Sequence, residues 1–531
     1  MSSVGLAALS GKPLSALDLF LTQKSLFQAL LDAREKFGGK RTAILDSDDR
    51  TLSYDEIVRA ALALGHALKR GTMLGENVGI MLPTSIGSVL SFFAVSAFGR
   101  IPTMMNFTSG SAGMMSAAKT AMVGRIVTAR RFIELAKLEG LAAELSKVTQ
   151  LIYLEDVRAK LSFMDKAVAG IGQVLPRLVT RSQNHESPAV ILFTSGTEGE
   201  PKGVALSHSN LLVNVKQVCA HEALYAHDIL FNPLPTFHCF GLVAGVLAPL
   251  LCGIKSVLHP TPLRPHEIVQ RVKETCSSIL LSTDTFMSQY ARAAEPGELK
   301  CLRLAVCGAE RVREETRRLL HKKHGISPVE GYGLTETSPF AAANQPGDLR
   351  PGTVGRLMPG MQARVEAVDG IPDAGGRLFL KGPNVMLGYI KPDRPGHIEP
   401  VPGGWHDTGD VVTIAADGVI SIKGRLKRFA NVGGETVSLS LAETCAGAVW
   451  PDHRHAAIAL SDERKGEQIV LLTTNPEAGR SPLIAWAQAN GMAEIALPRR
   501  IFTTEDIPVL GTGKPDYRKV DAIIRAEIKA A

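Results

Sequence analysis

The chain has 531 residues, 45% of them hydrophobic and 5% aromatic, with 59 Lys and Arg against 52 Asp and Glu and a net charge of +7. One hydrophobic core does not serve that length, so two or more domains are expected, and the composition excludes long disorder. Scarce aromatics and a mild charge argue against nucleic acid as a partner.

"LSYDEIVRAALALGHALKR" reads as a helix. Ser53 and Glu56 have capping-box spacing, and Ile57, Ala61, Leu64 and Leu68 share one face. A strand "NVGIML", a helix "SIGSVLSFFAVSAFG", a strand "RIVTA", a helix "RRFIELAKLEGLAAEL" and a strand "QLIYL" follow. This alternation predicts parallel sheets covered by helices. The run Phe240 to Ile254 is too short and Pro-interrupted for a bilayer span, and reads as a buried helix or strand pair. The N-terminus has no basic-then-apolar signal pattern. A cytoplasmic protein with no transmembrane segment is expected, with peripheral membrane contact left open. Seven cysteines without a C-x-x-C pair read as buried free thiols, and no zinc spacing occurs. After Pro351, "GRLFLKG" and "VVTIAADGVISIKG" read as short antiparallel strands. Mixed α/β character returns after Arg425.

The stretch "ILFTSGTEGEPKGVALSH" leaves an apolar strand for a glycine-rich, hydroxyl-rich loop with one lysine. Gly196, Gly199 and Gly203 let backbone N–H groups approach an anion. Thr194, Ser195 and Thr197 add hydroxyls, and Lys202 adds charge. Lys202 lies between Pro201 and Gly203, which is not the Walker pattern. Four more segments stand out. "EGYGLTETSP" supplies Tyr332, Thr335 and the carboxylate Glu336, which suits Mg²⁺ beside phosphates. "GWHDTGDVV" places Asp410 after a glycine turn. "KGRLKRFANVGGETVSLSLAE" mixes basic residues with Gly-Gly, and "VLGTGKPD" sets Lys514 in a glycine loop.

In this order the segments resemble the adenylate-forming acyl-ligase superfamily, over nearly the whole chain. With "LPTFHCFGL", "VCGAERV" and "PGTVGRLMPGM", the chain looks most like the ligase half of the bacterial bifunctional 2-acylglycerophosphoethanolamine acyltransferase/acyl-ACP synthetase. No N-H-x-x-x-x-D acyltransferase motif occurs, so acylation of phospholipid is not carried over. The resemblance implies a large α/β N-terminal domain over residues 1–425, with mixed and parallel sheets and a small distorted β-barrel near 356–425. A mobile α+β lid over 426–531 completes it.

It further implies ATP and Mg²⁺, a fatty acid substrate, and acyl carrier protein as thiol acceptor. Free CoA is the alternative acceptor, and a non-catalytic acyl-adenylate sensor is the remote one. Thr194, Ser195, Gly196, Thr197, Glu198, Gly199 and Lys202 would hold phosphates, with Thr197 and Glu336 on Mg²⁺. Gly308, Ala309, Glu310, Gly331, Tyr332 and Gly333 would surround adenine. Thr335 would meet the α-phosphate, and Asp410 and Arg425 the ribose. Lys514 would steady the reacting oxygens. Lys427 would be the hinge and Gly434 would pass the pantetheine arm. His238 would border an acyl tunnel lined by residues after Gly241 and by "SILLSTDTFM". The run "RVREETRRLLHKKH", with six Lys or Arg against two Glu, is a candidate docking helix for the acidic carrier.

Overall fold

A computed structural model describes residues 7–10, 22–195, 201–221, 224–368, 375–432, 435–462, 466–510 and 513–530. Gly196, Thr197, Glu198, Gly199 and Gly434, and the side chain of Ser195, lie outside the described residues.

The capping box predicted at Ser53 forms. Its hydroxyl accepts from the Glu56 N–H and starts the helix Tyr54–Lys69, whose Ile57, Ala61 and Leu68 are buried. Strands Asn77–Ile80, Arg125–Thr128 and Gln150–Tyr153 and helix Ile86–Ala97 also lie where the pattern put them. The strands belong to an eight-stranded sheet whose parallel part runs from Gln150–Tyr153 to Pro188–Ser195. A nine-stranded sheet holds a second parallel set from Thr42–Leu45 to Val329–Gly333. Apolar clusters fill the space about both sheets. The small C-terminal domain has its own cores, one built on Ala430, Leu471 and Leu483 and the other on Ile458, Val470 and Ile524.

Four expectations are corrected. The single helix expected over 130–145 is two, Arg130–Leu135 and Glu139–Leu145, because Lys137 adopts a left-handed φ of 54°. The expected barrel is an open sheet among the described residues. Its antiparallel order is Ala7–Ser10, Gln362–Ala367, Gly376–Lys381, His406–Ile414 and Ile420–Arg425. Strands Gly388–Ile390 and Ile398–Pro400 leave that region to extend the eight-stranded sheet instead. Cys219 and Cys252 form a disulfide rather than remaining free thiols, while Cys239, Cys276, Cys301, Cys307 and Cys445 are free. Gly203 is not a turn residue. It pairs within its strand, where a Cβ would lie 3.2 Å from Ile191 and 3.3 Å from Ile390, so its role is close strand approach.

The segment after Gly241 is helical from Cys239 to Cys252, with one wider turn at Val243–Leu247. Its Val243, Val246 and Leu247 pack into the core. No described helix is long and apolar enough to cross a membrane.

Candidate active site

The parallel strands of both sheets run into one cleft of about 3470 Å³. Residues just beyond strand ends line it, including Pro83, Asn106 and Ala129 from one sheet and Leu234, Thr283 and Gly308 from the other. Carboxyl ends of parallel strands leave backbone groups and loop side chains exposed together, which is why α/β sheets bind ligands there. The other side of the cleft belongs to the C-terminal segment, including Lys427, Val509 and Lys514.

Strands Pro188–Ser195 and Pro201–Ser207 form an antiparallel hairpin, with Thr194 opposite Lys202. The register sets both side-chain bearers at the base of the glycine-rich loop. Thr194 and Lys202 line the cleft, and the Lys202 ammonium stands 5.9 Å from the centre of the Tyr389 ring.

The strand Val329–Gly333 ends in a tight 3₁₀ turn, Thr335–Thr337, that carries Glu336. Gly333 is required there, since a Cβ would fall 1.9 Å from the Pro339 carbonyl oxygen. Three buried amides secure the turn from below. Asn384 donates to the Thr337 and Phe340 carbonyls at 2.7 and 2.9 Å. Asn214 exchanges hydrogen bonds with the Phe340 backbone, at 2.9 Å as donor and 3.1 Å as acceptor. Gln217 donates to Asn384 at 3.2 Å and to the Pro359 carbonyl at 2.6 Å. Buried polar groups satisfied in this way fix one geometry, because any displacement would orphan several of them at once. Above the turn, the Tyr389 hydroxyl donates to Glu336 Oε1 at 2.6 Å. Burial, then the Glu336 charge, raises the Tyr389 phenol above its ordinary range, so it stays a donor.

The antiparallel register puts Asp410 opposite Arg425. Arg425 Nε donates to Asp410 Oδ1 at 3.1 Å, and the Tyr332 hydroxyl donates to Oδ2 at 2.6 Å. The three predicted residues therefore form one contact chain. Gly409, at φ 67°, makes the turn into Asp410, and its N–H donates to Asp407 at 3.1 Å.

Gly308, Ala309 and Glu310 follow the strand Leu304–Cys307. Ala309 holds a left-handed φ of 69°, a costly conformation for alanine that the neighbouring packing maintains. Thr285 donates its N–H and hydroxyl to Glu310 Oε2 at 3.0 and 2.9 Å, while buried Oε1 has no partner among the described residues. Burial raises the Glu310 carboxyl above its usual range, against the Thr285 bonds and the nearby Lys514 charge. His238 lies beside Phe237, ring centres 4.7 Å apart, with Nε2 buried and without a partner among the described residues. Burial, helped by the Lys514 charge, lowers its pKa to about 4, so the imidazole is neutral near pH 7.

Lys514 enters among these groups. Burial depresses its ammonium, Arg425 depresses it further, and Glu310 and Asp410 act in the opposite direction. The loop that carries it is seated by Gly513, at φ 87°, where a Cβ would lie 3.0 Å from the Phe286 ring. Lys427 lies exposed on the cleft wall.

Two sequence readings change. The acyl-tunnel residues expected after Gly241 pack inward, and the cleft is met instead by Phe237 to Gly241 and by Thr283 of "SILLSTDTFM". The basic run forms the helix Glu314–His324, but its charges are not all outward. Arg317 pairs with Glu330, whose side chain is 2% exposed, and Arg313 pairs with Asp284. Arg318 is 79% exposed. Sequence reading missed Asn214, Gln217, Asn384, Thr285 and Tyr389. Only Tyr389 carried a local signal, an aromatic residue following a glycine in a short strand.

One cleft thus gathers the hydroxyl- and lysine-bearing hairpin and the Tyr–Asp–Arg chain. The profile of the AMP-binding enzyme family matches residues 31–390, and the chain belongs to that family. The chain is 26% identical over 496 residues to the medium-chain fatty-acid–CoA ligase of Escherichia coli, covering 89% of this chain and 86% of that one. It is 25% identical over 544 residues to the long-chain-fatty-acid–CoA ligase of Bacillus subtilis, covering 94% of each. ATP-bound MatB of Rhodopseudomonas palustris has the same fold, with a TM-score of 0.80 at 23% identity over 94% of this chain and 99% of its own.

Proposed function

We propose that the protein joins a fatty carboxylate to ATP, forming acyl-AMP and pyrophosphate, and then transfers the acyl group to a phosphopantetheine thiol. The carrying observation is Lys514, which comes from the C-terminal domain into a cleft with Glu310, Asp410, Arg425 and His238. A carboxylate attacks the α-phosphate poorly because both are anionic, so charge neutralisation and positioning are the main tasks. Lys514 supplies the positive charge at the reacting oxygens. Lys202 and the hairpin loop hold the β- and γ-phosphates. Asp410, oriented by Tyr332 and Arg425, accepts from the ribose hydroxyls.

Glu336 offers the hard oxygen donor that suits Mg²⁺ beside substrate phosphates, with Tyr389 fixing one carboxylate oxygen and leaving the other for the ion, so the residues present fit the metal. When bound, Mg²⁺ neutralises phosphate charge. Neutral His238, with Phe237 and Gly241, borders the acyl chain. The C-terminal domain then turns about Lys427, just past the 425/426 boundary, withdrawing Lys514 and opening a path for the thiol.

CoA is the acceptor this reading favours, because both ligases named above are CoA ligases. Acyl carrier protein is the second reading. Exposed Arg311, Arg318 and Lys322 on the cleft rim support it through their charge. The test incubates protein, ATP and Mg²⁺ with a fatty-acid series, offering CoA and holo-carrier in parallel. Faster thioester formation on CoA supports the first reading, and faster formation on the carrier supports the second. In the latter case, Arg318→Glu with Lys322→Glu lowers carrier use several-fold at low salt. Release of pyrophosphate from ATP that does not depend on added fatty acid would overturn both.

A further inference from the structure

We propose that the outward face of the helix Phe163–Val174 docks the protein on an anionic lipid surface. The helix packs one side against the protein and leaves an apolar side bare. Asp165, Ala169 and Gly172 are its buried residues, and a Cβ on Gly172 would meet Leu62 of the helix Tyr54–Lys69 at 2.2 Å. Asp165 fixes that side through Arg70 and through His66 at 2.6 Å. The opposite side, at helical spacing from Phe163 through Ala167 and Ile171 to Val174, carries no charge. Phe163 is 86% exposed, Val174 78%, and Leu178 just beyond 76%. A bare apolar strip of this kind is ordinarily covered, and among the described residues this one has no covering partner.

The surrounding charge identifies that partner. From Arg158 to Arg181 there are five Lys or Arg and one acid, Asp165, which is buried in its ion pairs. Arg177 pairs with Asp32 and Glu35, while Arg158, Lys160, Lys166 and Arg181 are exposed. An apolar strip flanked by basic side chains suits a helix lying in the plane of an anionic bilayer. The strip is one helix of twelve residues, about 18 Å long. Its area falls well short of the roughly 800 Å² per partner of a stable protein interface, which disfavours a second copy. The short helix Leu154–Ala159, whose Leu154 and Glu155 line the cleft, leads directly into it. The surface is therefore continuous in the chain with the wall of the active cleft.

The test is co-sedimentation of the full chain, without nucleotide or acyl substrate, with phosphatidylcholine vesicles and with vesicles one-third phosphatidylglycerol. The wild type should pellet with anionic vesicles at low salt and far less with neutral ones. Phe163→Ser/Ile171→Ser/Val174→Ser should lower the partition about tenfold or more, and Lys160→Glu/Lys166→Glu several-fold in a salt-dependent way. Unchanged thermal melting and lipid-free activity show the variants folded. Should the triple variant melt early, Phe163→Ser alone serves, with a smaller loss expected. A wild type that stays in the supernatant, or an apolar variant that pellets as well as the wild type, overturns the proposal. So does a wild-type dimer that the variant makes monomeric, which would make the face a self-association surface.

Discussion

The two sides of the cleft are built differently. On the N-terminal side two predicted carboxylates are each tied to other groups. Glu336 is held by Tyr389 and by a turn on three buried amides, and Asp410 is held between Tyr332 and Arg425. On the other side Lys514 rides a short loop closed by an isolated Val509–Pro515 bridge and seated by Gly513 against Phe286. A wall fixed by buried hydrogen bonds can serve both half-reactions unchanged. The described backbone hydrogen bonds of that loop stay within the C-terminal domain, from Leu510 N–H to the Lys514 carbonyl and from Gly513 N–H to the Leu510 carbonyl at 2.8 Å each, so a turning domain would carry Lys514 with it. On the proposed mechanism, that difference would give preorganisation to one domain and gating to the other.

Lys514→Ala should show the comparison most strongly. Acyl-AMP formation should fall by about a hundredfold or more, as for loss of a charge-stabilising donor. Thioester formation from supplied acyl-AMP should be nearly unchanged in single-turnover assays. Equal loss in both would place Lys514 in the fixed wall. Glu336→Gln should come next. It should raise the Mg²⁺ concentration for half-maximal adenylation and slow the step about tenfold or more. An unchanged Mg²⁺ titration would move the metal elsewhere. Gly513→Ala should slow adenylation several-fold and spare the thiol step, because both its positive φ and Phe286 oppose a methyl group. A loss confined to the thiol step would reverse the assignment.

The smallest effect concerns the footing of the wall. His208, 1% exposed, accepts the Leu26 N–H at Nδ1, and burial lowers its pKa to about 4. The unfolded chain takes up this proton near pH 6.5, so His208 binds fewer protons when folded than when unfolded. Its contribution is complete above pH 6.5 and is lost as pH falls toward 4, about 2 kcal/mol by pH 5. The thermal midpoint should drop across that window, and His208→Asn should flatten the dependence. A slope unaltered by the substitution would assign the acid sensitivity to other groups.

What was legible in the sequence was whatever is encoded locally. The Ser53 capping box, the alternating strands and helices and the order of the glycine-rich motifs each sit in one short window. What was hidden depends on residues that folding brings together. Gln217 and Asn384 meet across 167 positions, and their separate sequence neighbourhoods contain nothing unusual. Lys137 breaks a helix by a left-handed turn that an ordinary lysine does not announce. The basic helix looked uniformly exposed because spacing shows which residues share a face, not which carboxylate waits behind it. Glu330 takes Arg317 inward.

The central claim is that the cleft makes an acyl adenylate before any thiol is involved. Exchange of labelled pyrophosphate into ATP, measured with a fatty acid and Mg²⁺ but no CoA or carrier protein, tests it directly. The account predicts fatty-acid-dependent exchange in the wild type and its near-abolition in Lys514→Ala. Exchange that requires a thiol, or cleavage of ATP to ADP in place of AMP, would contradict it.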